Sequence, residues 1–173
     1  GPVQGAASEE RVAELQGHWG LGHVRWATHG RVSRLNAHPL VDSYSDIAIV
    51  HNGILQGYES LRSELVSEGH TFLSETDSEV IAHLIEKNLK DGLKVEDAIL
   101  ECARQLQGTY AIGVMTRQEP GVLYALRNES PLLIGVGEGF HCFSSDPLTR
   151  GGLTDQVMWL EDGEMARINR NSC

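Results

Sequence analysis

No run of 18 apolar residues occurs in the chain, so nothing in it reads as a membrane-spanning helix. Cysteine is scarce. Cys102, Cys142 and Cys173 stand far apart, with no Cys-x-x-Cys pair and no basis for a disulfide framework, which fits a reducing cytoplasm. Positive charge is short as well: 14 Lys and Arg face 24 Asp and Glu, a formal net charge of -10. That balance argues against nucleic acid or an anionic membrane as the main partner. The opening Gly1-Pro2-Val3-Gln4-Gly5 has neither the charged nor the apolar region of a signal peptide. Eight histidines and many acids invite a metal, but no His-Glu-x-x-His or other ligand spacing is present, so neither metal nor cofactor is expected. The glycine-rich stretch Gly135-Val136-Gly137-Glu138-Gly139 has no helix after it, which removes the context of a phosphate loop and leaves a hairpin turn. Internal repeats and low-complexity linkers are also missing.

What is present is ordinary for a globular protein. With 173 residues, 40% apolar and 22% charged, the chain fits one domain with a core of useful size. Ser8 to Leu15 reads as a short helix, Gly20 to Trp26 as a strand and residues 30–46 as a long loop. Ile47-Ala48-Ile49-Val50 is a continuous apolar run, as in a strand buried on both faces, and it ends in His51-Asn52-Gly53. Helices are expected over 57–68, after a Thr76-Asp77-Ser78-Glu79 capping box, and over Val95 to Leu106. The remainder reads as six short strands, starting near Tyr110, Val122, Leu132, His141, Val157 and Met165. Glu161-Asp162-Gly163-Glu164 reads as the hairpin turn joining the last two. A few consecutive helices between two strand-rich regions make the fold class α+β.

Three polar clusters sit at the ends of apolar elements. In Gly22-His23-Val24-Arg25-Trp26-Ala27-Thr28-His29-Gly30, the arginine can grip a carboxylate through two N–H groups, or simply form a surface salt bridge. In His51-Asn52-Gly53, a side-chain amide and a backbone N–H can converge on one oxygen, the geometry of an oxyanion hole; an Asn-Gly turn is the alternative. In Ser74-Glu75-Thr76-Asp77-Ser78-Glu79, the acids can cap a helix, or Asp77 can hold a ligand ammonium group. His38 in Asn36-Ala37-His38-Pro39 belongs to the loop, while His70, His83 and His141 read as surface or satisfied core residues.

Taken in order, these four motifs resemble the class II glutamine amidotransferase domain, and within it the members that make an amino sugar from fructose-6-phosphate. The likeness continues through Ser130-Pro131-Leu132, Ser145-Asp146 and Leu160-Glu161-Asp162-Gly163-Glu164, and so covers residues from about 20 onward. The resemblance implies an N-terminal-nucleophile hydrolase fold, a four-layer αββα sandwich. It also implies a cysteine at the first position of the mature chain, whose thiol attacks the glutamine amide and whose α-amine is the base. By the same likeness Arg25 would hold the substrate carboxylate and Asp77 its ammonium. Trp26, Thr28 and His29 would line or close the pocket, and Asn52 and Gly53 would form the oxyanion hole. Residue 1 here is Gly and only 24 residues precede Arg25, so the implied nucleophile and first strands are not among these residues, and the sandwich is incomplete at its N-terminus. The partners implied are glutamine and glutamate, that N-terminal segment, a downstream sugar-isomerase domain and a second copy in a homodimer, all in the cytoplasm. The rivals are a glutamine-binding or scaffold domain without a nucleophile, and an amidotransferase of the same class with another acceptor.

Overall fold

The computed structural model describes residues 17–25, 30–146, 154 and 156–173. Eight strands and three helices follow in order: β1 (Leu40–Val41), β2 (Ile47–Gln56), α1 (Tyr58–Ser67), α2 (Glu79–Lys90), α3 (Val95–Gln105), β3 (Gln107–Thr116), β4 (Leu123–Asn128), β5 (Leu133–Gly137), β6 (Phe140–Ser144), β7 (Gln156–Trp159) and β8 (Met165–Ile168). The helix expected over Ser8 to Leu15 lies outside the described residues. No helix among those described is long and apolar enough to cross a membrane.

Two antiparallel sheets form, one in the order β1-β2-β3-β4-β8 and the other β6-β5-β7. The alternating side chains of the first sheet supply two separate cores. On one face Ile49, Ile112, Val114 and Tyr124 pack under the helices with Val80, Ile81, Ile85 and Ile99. On the other, Ala111, Ala125 and Ile168 meet Ile134 and Leu132, with Phe143 packed alongside. Each fully buried large side chain of this kind contributes about 1.5–3 kcal/mol. The contact between sheets is close: a Cβ placed on Gly113 of β3 would lie 2.2 Å from Cζ of Phe143. The described layers are therefore helix, sheet and sheet.

Several elements differ from the sequence reading. Residues 20–25 form no strand; the segment is fixed by a side chain instead, with His23 Nε2 bonded to the carbonyl of His51 and to Oδ1 of Asn52. The expected long loop contains β1, paired with Ile49 and Ala48. Strand β2 does not end at His51-Asn52-Gly53 but runs on to Gln56, because β3 matches it residue for residue from Ile47↔Thr116 to Gln56↔Gln107. The capping box does not form. Helix α2 starts at Glu79 without a side-chain cap, and the Glu79 carboxylate accepts the N–H groups of Leu73 and Ser74 (2.8 and 2.7 Å). Glu161–Glu164 is a turn, with Gly163 at φ 83, but not a hairpin: β7 pairs with β5 and β8 with β4, so the turn crosses between sheets. The glycine-rich stretch does close a hairpin, between β5 and β6.

Candidate functional site

The site is built on the edge of β2 that faces away from β3. The N–H of His51 donates to Nδ1 of His38 (3.1 Å), and that of Leu55 donates to Oδ2 of Asp77 (2.9 Å). Gly53 lies between these two residues on the strand. Gly53 has φ 131, and a Cβ there would lie 2.0 Å from the carbonyl oxygen of Thr109, so β3 forbids any other residue. Beside this edge, His23, Arg25, His38, Thr76 and Asp77 help to enclose a cavity of about 270 Å³ with Gly53 in its wall.

Asp77 is 3% exposed and Ser78 4%, and their side chains are linked. Ser78 Oγ donates to Oδ1 of Asp77 (3.2 Å) and so accepts from Nδ1 of His51 (2.8 Å). Burial, only partly opposed by the Asp77 carboxylate, brings the His51 imidazole down to about 4. His38 is lowered to about 3, first by burial and then by the charges of His23, His51 and Arg25; its Nδ1 is bare, since it accepts the His51 N–H. His23 stacks on His38, ring centroids 4.3 Å apart. A carbonyl can only accept, so Nε2 of His23 carries the proton shared between His51 O (3.0 Å) and Asn52 Oδ1 (2.8 Å). That bond orients the Asn52 amide, whose Nδ2 donates to Oγ of Ser145 (2.7 Å).

Arg25 donates to the carbonyls of Arg31 and Gly30 (both 3.2 Å), which ties it to the loop that follows. Asn36, 1% exposed, pins that loop to the Asp77 segment: its Oδ1 accepts the N–H of Glu75 (2.8 Å) and its Nδ2 donates to Arg31 O (2.9 Å).

Arg25, Gly53 and Asp77 thus share one cavity, whose lining does not include the neighbouring Asn52. Trp26, Thr28 and His29 lie outside the described residues. Sequence reasoning did not single out His23, Ser78 and Ser145. His23 sits in the arginine motif and Ser145 in the Ser145-Asp146 pair, but nothing in their spacing ties either to Asn52. A larger cleft of about 410 Å³, lined by Trp19, Phe140, His141 and Cys142 among others, holds none of the expected site residues.

Similarity to known proteins identifies the family. Residues 23–148 match the glutamine amidotransferase domain, and the chain belongs to that family. Its fold is the α+β sandwich of the N-terminal-nucleophile hydrolases, as in the glutamine phosphoribosylpyrophosphate amidotransferase of B. subtilis complexed with ADP and GMP (TM-score 0.72, 28% identity, 87% of this chain and 32% of that one). Within the family the chain is homologous to one part of the enzymes named glutamine–fructose-6-phosphate aminotransferase [isomerizing]. It is 47% identical to that of Methanothermobacter thermautotrophicus over 169 residues (98% of this chain, 29% of the relative), and 44% identical to that of Escherichia coli K12 over 172 residues (99% and 28%). The chain therefore spans less than a third of the curated relatives it matches.

Proposed function

We propose that the chain is the glutamine-hydrolysing part of an enzyme that makes glucosamine-6-phosphate from fructose-6-phosphate and glutamine. The observation that carries this reading is the meeting of Arg25, Asp77 and Gly53 in one cavity. Arg25 binds the α-carboxylate of glutamine and Asp77 its α-ammonium, a cation and an anion set for a zwitterion. The substrate amide then lies along the β2 edge, where the Gly53 N–H and the Asn52 side chain stabilise the oxyanion formed when a thiolate attacks. His23 holds the Asn52 amide with its NH2 away from His23. Trp26, Thr28 and His29 complete the pocket.

None of the three cysteines lines this cavity. Cys102 is buried in α3, and burial pushes its thiol up, away from the reactive thiolate. The 173 residues by themselves bind glutamine and glutamate and release no ammonia; a thiol from outside them completes the site. The names of the relatives support the acceptor sugar and an isomerase part downstream, and a cytoplasmic homodimer completes the reading.

Calorimetry with L-glutamate tests it. The chain binds the L-amino acid, and Arg25→Met weakens binding at least about tenfold, the loss of one charge-assisted pair. Equal affinity in Arg25→Met, or equal affinity for glutaric acid, which lacks the ammonium, would contradict the assignment.

A further inference from the structure

Away from the cavity, a second cluster has no part in the chemistry above. His70 follows α1, and His83 and Glu86 are three residues apart on α2. Far from being surface residues, they are 7%, 0% and 4% exposed. Nδ1 of His70 and Nδ1 of His83 are 3.3 Å apart, and Oε2 of Glu86 lies 3.0 Å from the first and 3.1 Å from the second. The other carboxylate oxygen of Glu86 is taken by Lys90 Nζ (2.6 Å), and the Ser43 N–H approaches Oε2 at 3.3 Å. The carboxylate is therefore held to present one oxygen to the two rings.

With His83 neutral, this triangle is one proton short. His83 stands between two carboxylates, with Nδ1 on Glu86 and Nε2 3.7 Å from Oε1 of Glu79. Nε2 is buried and has no hydrogen-bond partner. A neutral imidazole has one N–H and one lone pair. Whichever nitrogen of the neutral ring carries the proton, the other turns a lone pair towards a carboxylate, a conflict that only a second proton or a bound cation removes. His70 meanwhile aims its Nδ1 at the same oxygen. A cation at the centre of the three atoms resolves this: both Nδ1 lone pairs and Oε2 become ligands, and the Nε2–H of His83 faces Glu79, the outer carboxylate that commonly orients a metal-bound histidine.

We propose that His70, His83 and Glu86 bind a divalent transition-metal ion of the zinc type. Bonds of about 2.0–2.1 Å in a tetrahedral site place neighbouring donors about 3.4 Å apart, close to the edges observed, and two imidazoles with one carboxylate suit that metal class. Three protein donors leave the fourth position to a water, and the ion acts as a clamp. It clamps the segment that leads from α1 towards Asp77 onto α2, beside the backbone of Ser43.

The test uses the 173-residue chain, stripped with a chelator and titrated with Zn2+ in a calorimeter and in thermal unfolding. One equivalent should bind and raise Tm. His70→Gln and Glu86→Gln, each checked for native circular dichroism, should lose more than the roughly 10–100-fold that removal of an outer partner costs. Co2+ added to the unaltered chain should give the visible bands of a tetrahedral site, a readout that needs no substitution. Absence of Zn2+ binding and of those bands would overturn the proposal in favour of a protonated His83. So would binding undiminished in both variants, which would put the ion on other histidines. None of these outcomes bears on glutamine binding.

Discussion

At the scale of single residues, the site depends on which atom of each polar group is already committed. Asn52 accepts from His23 at Oδ1 and donates one N–H to Ser145, which leaves its second N–H to meet a developing negative charge. Asn52→Ala in an enzyme that carries the thiol should therefore lower turnover about 10²–10³-fold with little change in glutamine affinity. A matching loss of affinity in steady-state and binding assays, or unchanged turnover, would reduce Asn52 to a strand residue. Asp77 is committed in the same way, one oxygen to Leu55 and the other to Ser78, so it serves the backbone of β2 as well as the cavity. Arg25, Asn52 and Asp77 were singled out through the resemblance of their motifs, because residue type alone left a salt bridge, a turn and a helix cap as alternatives. The part played by His23 was not legible. Its value lies in a bond to Asn52, and a contact between segments that distant leaves no local pattern.

At the scale of elements, the apolar periodicity of α2 and α3 and the strand-rich second half could be read directly, since burial on one face imposes its own spacing. The errors came where tertiary pairing overrode local chemistry. Asn-Gly usually turns a chain, yet here β3 pairs across it and Gly53 lets the backbone of Thr109 approach. Thr76 and Glu79 match a capping box, yet Glu79 is spent on the N–H groups of Leu73 and Ser74 and so shapes the loop that presents Asp77. Glu161–Glu164 has hairpin chemistry, but strand partners are chosen by the sheets and not by the turn. The His70–His83–Glu86 triangle was equally hidden. His83-x-x-Glu86 alone is only helix spacing, and the third corner comes from the far side of a loop.

At the scale of the whole molecule, three layers trap neutral histidines beside the cavity, and this couples stability to pH. His38 and His51 are lowered from 6.5 to about 3 and about 4. Well above pH 6.5 both are neutral folded or unfolded. As pH falls below 6.5, the unfolded chain takes up protons that the folded chain refuses, so stability is lost down to the folded values. The slope is at most about 1.4 kcal/mol per pH unit for each group. Glu86, lowered from 4.5 to about 2, adds its own loss only below 4.5. Urea midpoints should therefore already be lower at pH 5.5 than at pH 7.5, where carboxylates have barely begun to titrate; equal midpoints would mean that these histidines are open to solvent. On the proposed function, the molecule folds around one amino-acid site. A crystal structure with L-glutamate tests it most directly. The α-carboxylate should lie on Arg25, the α-ammonium on Asp77 and the side-chain carboxylate against the Asn52–Gly53 edge. Glutamate seated instead in the cleft of Trp19, Phe140 and Cys142, or reversed with its ammonium away from Asp77, would contradict it.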